Sequence, residues 1–353
     1  MHNRNWGNQP MLDDLKYIHD KDAADALGVI EKQWKQLVQT YTVDFKAAGE
    51  IRNIVLSGMG GSAWPAQYVQ TWPGVKVPFE VSRTYGVPNY VNENTLFIAS
   101  SYSGNTEETL SALTVAGEKN AQIVVMAAGG KLQAIAEEKG YPLFTIPAGI
   151  QPRMSSFYFI SAFLELFGPL GLLMSEVPME MRQGLSEWLS KQIVSWKPDV
   201  PTNQNPAKQL ALEIAGKTPI MYSGPLLAPV ANKMKICMNE NAKNLAWWNQ
   251  YPELNHNEFI GWSSHPVDKP FAVVEIRSNL EHERVQKRFE VTERLLSGKR
   301  PAPHVITPEG TTLPEQIFWS SMFGDFVCTY VALLNGVDPT PVDLVEKFKA
   351  ELG

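Results

Sequence analysis

Gly58-Met59-Gly60-Gly61-Ser62 and Ser100-Ser101-Tyr102-Ser103-Gly104-Asn105-Thr106 are the two stretches on which the fold turns. Each follows a short apolar run (Asn53 to Leu56; Thr95 to Ala99) and precedes a stretch with the pattern of a helix (Ala63 to Gln70; Glu107 to Ala116). A strand, a tight Gly- and Ser-rich turn and then a helix make an anion-binding arrangement. The N–H groups of the first helical turn have no intrahelical partner, and the helix dipole favours negative charge there. Glycine lets the backbone approach closely, and Ser and Thr hydroxyls add donors. Two such loops on neighbouring strands can converge on one phosphate from two sides.

Outward from these loops the chain keeps one rhythm. Strand-like runs (Ile54 to Leu56, Phe79 to Val81, Leu96 to Ala99, Ile123 to Met126, Leu143 to Ile146) alternate with helical stretches that begin near Ser62, Asn105 and Lys131. This alternation predicts a parallel, doubly wound sheet with helices on both faces. Asp22 to Phe45 carries Leu27, Ile30, Trp34, Leu37 and Val38 at helical spacing and predicts an N-terminal helix. Phe157 to Met174 carries a single charge, Glu165, and approaches the length of a membrane span; Gly168-Pro169 and Gly171 interrupt it, so we read a buried helix joining two domains. Lys197 to Pro206, rich in proline and polar residues, reads as a connector. Beyond it a second set of strands (Pro219 to Tyr222, Leu245 to Trp248, Ala272 to Ile276, Val305 to Ile306) alternates with helices (Leu226 to Asn239, Leu280 to Leu296, Pro314 to Leu334). We expect two related α/β domains: residues 1–165 with the N-terminal helix and the phosphate loops, a helical connector over 166–205, and 206–353 ending in a helical tail.

A chain of 353 residues is too long for one ordinary core and suits two domains. Apolar residues at 44% and charged residues at 19% fit a globular, well-buried protein. The net charge of -6 argues against a nucleic-acid or anionic-membrane partner, whereas an anionic substrate needs only local donors. Cys237 and Cys328 lie in apolar helical contexts, which indicates no disulfide framework and a reducing compartment. The polar, mixed-charge start from Met1 to Lys21 does not resemble a secretory signal, and a cytoplasmic protein is expected.

Other chemistries compete for the same residues. Gly58-x-Gly60-x-x-Ala63, with Glu80 about one strand later, also fits a relaxed dinucleotide fingerprint and so a nicotinamide-dependent oxidoreductase. No Gly-Lys-Ser/Thr follows the glycines, so a Walker-type nucleotide site has little support. The second loop favours a sugar-phosphate site, because its hydroxyl and N–H donors can surround one terminal phosphate and a dinucleotide domain does not need them. A plain turn with Asn105 or Thr106 as a helix cap is the bland alternative. Glu240 could end its helix as a surface charge, and Arg153 could be a surface loop arginine. Glu253, His256 and Glu258 are close in sequence, but their spacing matches no strong metal motif.

Taken together, Gly58 to Ser62, Ser101 to Thr106, Asn239-Glu240-Asn241-Ala242-Lys243 and Pro252-Glu253-Leu254-Asn255-His256-Asn257-Glu258 resemble the sugar isomerase (SIS) domain proteins, and among them the bifunctional phosphoglucose/phosphomannose isomerases. The resemblance runs from about Asn53 to the C-terminus. It implies two SIS-type, flavodoxin-like domains and the interconversion of glucose 6-phosphate and mannose 6-phosphate with fructose 6-phosphate. It implies Glu240 as the base that moves the proton between C1 and C2, a task that suits a carboxylate whose pKa is raised by partial burial. By the same resemblance, His256 opens the sugar ring and comes from the neighbouring subunit of a homodimer. Lys347 assists ring opening, Arg153 stabilises developing oxyanion charge, and Thr340 in Thr340-Pro341-Val342 leaves room for either C2 epimer. Gly61, Ser62, Ser101, Ser103 and Thr106 hold the phosphate, and no metal or organic cofactor is implied. Met154-Ser155-Ser156 departs from the small or aromatic residues usual after the family's Pro-Arg step. A SIS protein that senses a sugar phosphate without turning it over, or an isomerase of another sugar phosphate, carries much of the same pattern.

Overall fold

Nine strands among the described residues form two all-parallel sheets, in a computed structural model that describes residues 11–263 and 270–352. The first contains β1 (Asn53–Ser57), β2 (Phe79–Ser82), β3 (Thr95–Ser101), β4 (Gln122–Ala127) and β5 (Leu143–Thr145), in the order β2-β1-β3-β4-β5. The second contains β6 (Thr218–Ser223), β7 (Trp247–Gln250), β8 (Phe271–Ile276) and β9 (His304–Ile306), in the order β7-β6-β8-β9. The doubly wound α/β fold expected from the alternation is the fold found.

In the first unit, residues 32–188, β3 and β4 are buried along their whole length and β1 from Ile54 onward. Parallel strands covered by helices on both faces read as continuous apolar runs. Val55, Phe97, Ala99 and Val125 pack on one face against Ala112, Leu113 and Ala116 of the helix Glu107–Glu118 and Leu132 and Ala136 of the helix Gly130–Lys139. The chain leaves β1 toward β2 on one side and returns to β3 on the other. The loops after β1 and β3 therefore meet at the switch point where open α/β sheets bind ligands.

The second unit holds residues 189–352 together with 11–31. We expected the N-terminal segment to belong with the first sheet; its described residues pack instead around the helix Leu313–Leu334. Tyr17 Oη donates to Leu333 O at 2.7 Å, and Asp13 Oδ1 accepts the Thr202 N–H at 2.8 Å. The single helix expected over Asp22 to Phe45 is also corrected. It is a short helix, Ala26–Ile30, and a separate 3-10 turn, Gln33–Val38. Asp25 caps the first piece through the Gly28 N–H, and the Asp22 carboxylate accepts the N–H groups of Ala26 and Leu27 at 2.8 and 2.9 Å. The second piece is held by another core: Gln36 donates to Met154 O at 2.8 Å and accepts from Ser161 Oγ through its own carbonyl at 2.8 Å. One apolar periodicity thus serves two cores.

The apolar run after Phe157 forms the helix Ser156–Phe167 and stops before Gly168. The strand expected from Leu245 begins at Trp247, and Leu245 stays exposed. Among the described residues, Leu313–Leu334 is the one helix long and apolar enough to cross a membrane by length and composition, and its apolar window is 100% buried within the protein.

Candidate active site

The switch point of the first sheet is the candidate phosphate site of the first unit. Gly60–Ser62 forms a 3-10 turn ahead of the helix Pro65–Thr71, so the helix expected from Ser62 starts one turn later. Ser62 Oγ accepts the Tyr102 N–H at 2.8 Å, and Ser100 Oγ donates to Ser62 O at 2.7 Å, which locks the two loops together. Ser101 Oγ lies 2.7 Å from Thr106 Oγ1 and 3.4 Å from Ser103 Oγ, and it accepts the Gly104 N–H at 3.1 Å. Ser62 and Ser101 are buried, Thr106 is half-buried and Ser103 is exposed. Thr106 stands at the N-cap position of Glu107–Glu118, yet its side chain makes no cap bond; the hydroxyl turns to Ser101 instead.

Gly104 has φ +68, and a Cβ there would run into the Gly129 carbonyl oxygen. Only glycine meets both conditions. Gly129 and Gly130 belong to this corner and were not among the residues singled out from the sequence. Leu132 N–H donates to Gly104 O at 2.9 Å, and Asn105 Oδ1 accepts the Lys131 N–H at 3.1 Å. The Gly-Gly pair ahead of a helix was the available signal. Gly61 borders the Pro152–Arg153 backbone, since a Cβ on it would lie 2.7 Å from Pro152 C. Arg153 is only 1% exposed, with Nη1 at 3.4 Å from Gln151 Oε1, so it is no surface loop arginine. Tyr102 Oη accepts the Ile150 N–H and donates to Pro147 O, both at 3.2 Å; burial pushes its phenol above the ordinary range. Gly61, Ser62, Ser101, Ser103, Thr106 and Arg153 therefore come together.

The other residues expected at the site lie in the second unit. Glu240 is the last residue of the helix Ala228–Glu240 and is half-buried. The turn that follows it is pinned to the segment that carries Thr340. Asn335 Nδ2 donates to Ala242 O at 3.0 Å, Lys243 Nζ donates to Asp338 O at 2.6 Å, and the Thr340 N–H donates to Asp338 Oδ1 at 2.8 Å. Lys243, at φ +50, belongs to the Asn239 to Lys243 stretch that carries the resemblance, which gave it no role of its own. Lys347 is exposed on the helix Asp343–Leu352, with Nζ 3.8 Å from Glu351 Oε1.

His256 is not brought to Glu240. The helix Ala228–Glu240 runs back from the C-terminal end of β6, so Glu240 lies level with the strand starts, where Asn244 Nδ2 donates to Lys217 O at 3.0 Å. His256, exposed in the turn Glu253–His256, follows the opposite end of β7, where the Tyr251 N–H donates to Ser223 O at 2.9 Å. At about 3.3 Å per strand residue, the length of β6 places them on the order of 20 Å apart. The neighbouring carboxylates are engaged. Glu253 accepts from Asn257 Nδ2 at 2.7 Å, while Glu258 accepts from Asn249 Nδ2 at 2.7 Å and from Tyr222 Oη.

Two parallel α/β units, the first with hydroxyl-bearing glycine loops at its switch point, define the SIS class of sugar-phosphate proteins. Residues 203–352 match the family model of the bacterial phospho-glucose isomerase C-terminal SIS domain. The fold is similar to that of a glucose-6-phosphate isomerase-like protein from Thermus thermophilus, with a TM-score of 0.64 at 19% identity, over 95% of this chain and 99% of that one. The chain is 36% identical to the bifunctional phosphoglucose/phosphomannose isomerase of Caldicellulosiruptor bescii over 90% of this chain and 94% of that protein. It is 31% identical to the D-glucosamine-6-phosphate 4-epimerase of Sulfolobus acidocaldarius over 69% of this chain and 76% of that protein. The chain belongs to the bifunctional phosphoglucose/phosphomannose isomerase family.

Proposed function

We propose that the chain interconverts glucose 6-phosphate and mannose 6-phosphate with fructose 6-phosphate through a cis-enediol. The hydroxyl cluster of Ser101, Ser103 and Thr106 carries this assignment within the family, because Thr106 stands where a helix cap would stand and leaves the cap bond unmade. Gly61, Ser62, Ser101, Ser103 and Thr106 hold the phosphate through N–H and hydroxyl donors. Glu240 takes the C2 proton of the aldose and returns it to C1, which yields the ketose. Arg153, a permanent cation, stabilises the charge that develops on the enediolate oxygens. Lys347 and His256 open the ring by proton transfer at the ring oxygen and the C1 hydroxyl. Thr340 leaves space for either C2 epimer. Every step is a proton transfer between the substrate and side chains, so none is assigned to a metal or an organic cofactor.

Glu240 and His256 of one chain stand at opposite edges of the second sheet, and both must reach one sugar. We therefore assign the active form as a homodimer in which His256 serves the partner's site, in the cytoplasm.

An isomerase assay on EDTA-treated protein, with glucose 6-phosphate and mannose 6-phosphate supplied separately, tests the assignment. Both are expected to yield fructose 6-phosphate, and Glu240→Gln is expected to lower kcat by about a hundredfold or more. A folded Glu240→Gln variant with full activity would falsify the mechanism. The relationship to a protein named as a glucosamine-6-phosphate epimerase supports one second reading, another sugar phosphate as substrate. Turnover of glucosamine 6-phosphate, with glucose 6-phosphate and mannose 6-phosphate untouched, would favour it.

A further inference from the structure

The second sheet repeats four of the first sheet's five strands: β7-β6-β8-β9 lies as β2-β1-β3-β4 does. β1 and β6 each end on a fully buried serine, Ser57 and Ser223, whose hydroxyl has no hydrogen-bond partner among the described residues. Each serine is followed by a glycine packed against the end of the next strand inward or the loop after it. A Cβ on Gly58 would lie 2.7 Å from Ser100 O, and a Cβ on Gly224 would collide with the Glu281 carboxylate.

What fills the corresponding space differs. In the first unit it is bordered by the hydroxyls of Ser62, Ser101, Ser103 and Thr106. In the second, the loop after β8 delivers a carboxylate. Glu281 is 5% exposed, and its Oε1 accepts the Leu226 N–H at 2.9 Å, in the turn Pro225–Leu227 that leads into the helix Ala228–Glu240. A bound anion takes N–H groups of that kind at a helix start. The one hydroxyl in the loop from Arg277 to Glu281, that of Ser278, is committed to Gln316 Oε1 at 2.5 Å.

We propose that the Glu281 side chain is a built-in occupant of the phosphate position of the second unit, so that a phosphate monoester is excluded there and each chain takes one. The single remaining site in the first unit rests on the function proposed above; the occlusion does not. An arriving phosphate would find the donor engaged, the space beside Gly224 filled and, with Glu281 ionised, a like charge at contact distance.

Equilibrium dialysis with radiolabelled inorganic phosphate, counted per chain, tests this. Wild type and Glu281→Gln, which keeps the size of the plug, are expected to bind one equivalent. Glu281→Ser, which removes it and adds a hydroxyl, is expected to bind two, and Glu281→Ala serves if Glu281→Ser does not fold. Two equivalents in wild type overturn the proposal, as does an unchanged count in a folded Glu281→Ser or Glu281→Ala variant. A wild type that binds none, with a gain of one on removing the plug, would overturn the phosphate loops of the first unit and uphold the occlusion.

Discussion

Thr106 and Glu281 show how much depends on where one side chain turns. Thr106 occupies a helix N-cap, a position where a hydroxyl ordinarily accepts a backbone N–H, but its Oγ1 is 2.7 Å from Ser101 Oγ. Thr106→Val, which keeps the shape and removes the hydroxyl, is therefore expected to leave the melting temperature nearly unchanged. It should raise KM for sugar phosphate roughly tenfold, as loss of a hydrogen bond to a charged group does. Steady-state kinetics beside a thermal melt check this, and a lowered melting temperature with unchanged KM would return Thr106 to a capping role. Glu281 makes the opposite trade. Burial pushes its carboxyl up to about 7, from an ordinary 4.5, with the Leu226 N–H pulling the other way. One N–H donor does not replace the water that the carboxylate has lost. The native state thus holds a proton that the unfolded chain releases, and stability falls as pH rises from 4.5 to about 7. This contribution amounts to about 3 kcal/mol. Urea unfolding of Glu281→Gln across that window is expected to show a flatter pH dependence than wild type, and parallel curves would contradict it.

At the scale of elements, the helix that ends on Glu240 owes its position to a buried charge pair. Lys233 Nζ, in the helix Ala228–Glu240, donates to Asp325 Oδ2 in the helix Leu313–Leu334 and to Ser321 O at 3.3 Å. Cys237 Sγ lies 3.4 Å from Asp325 Oδ1. Lys233 is fully buried and Asp325 nearly so. Taking away one partner strands the other charge in a medium that solvates it poorly, a loss of about 3–5 kcal/mol. Asp325→Ala is expected to lower stability by that amount in urea unfolding, whereas Lys233→Met with Asp325→Leu should recover most of it. If the single variant unfolds like wild type, the pair does not anchor the helix. The same helix is long enough for its two ends to serve different chemistry. The turn that leads into it, Pro225–Leu227, meets the Glu281 carboxylate, and its last residue is the proposed base.

For the whole molecule, the sharpest expectation concerns subunits. If His256 acts on the partner's substrate, Glu240→Gln and His256→Ala chains, each nearly inactive alone, should recover about a quarter of wild-type activity when refolded together, because half the dimers are mixed and each restores one of two sites. No recovery in verified mixed dimers would place both residues in one chain's site. Much of the architecture is legible without coordinates. The apolar runs at Asn53 to Leu56 and Thr95 to Ala99 announce buried parallel strands, and the loops Gly58 to Ser62 and Ser100 to Thr106 announce the switch point. Strand burial and turn chemistry are local properties, written in neighbouring residues. Other features are not local. Asp22 to Phe45 has one helical periodicity, but its first part packs on the helix Leu313–Leu334 and its second answers to Met154, far along the chain. The carboxylate of Glu281 meets an N–H 55 residues away, and Gly104 is required by Gly129, which no short window contains. The sequence by itself determined the two-sheet class, the family and the residue types at the site. Only the tertiary structure decided which hydroxyls face one another, which phosphate position is filled, and that Glu240 and His256 stand at opposite edges of one sheet, because those outcomes depend on long-range packing that brings distant side chains to a common surface.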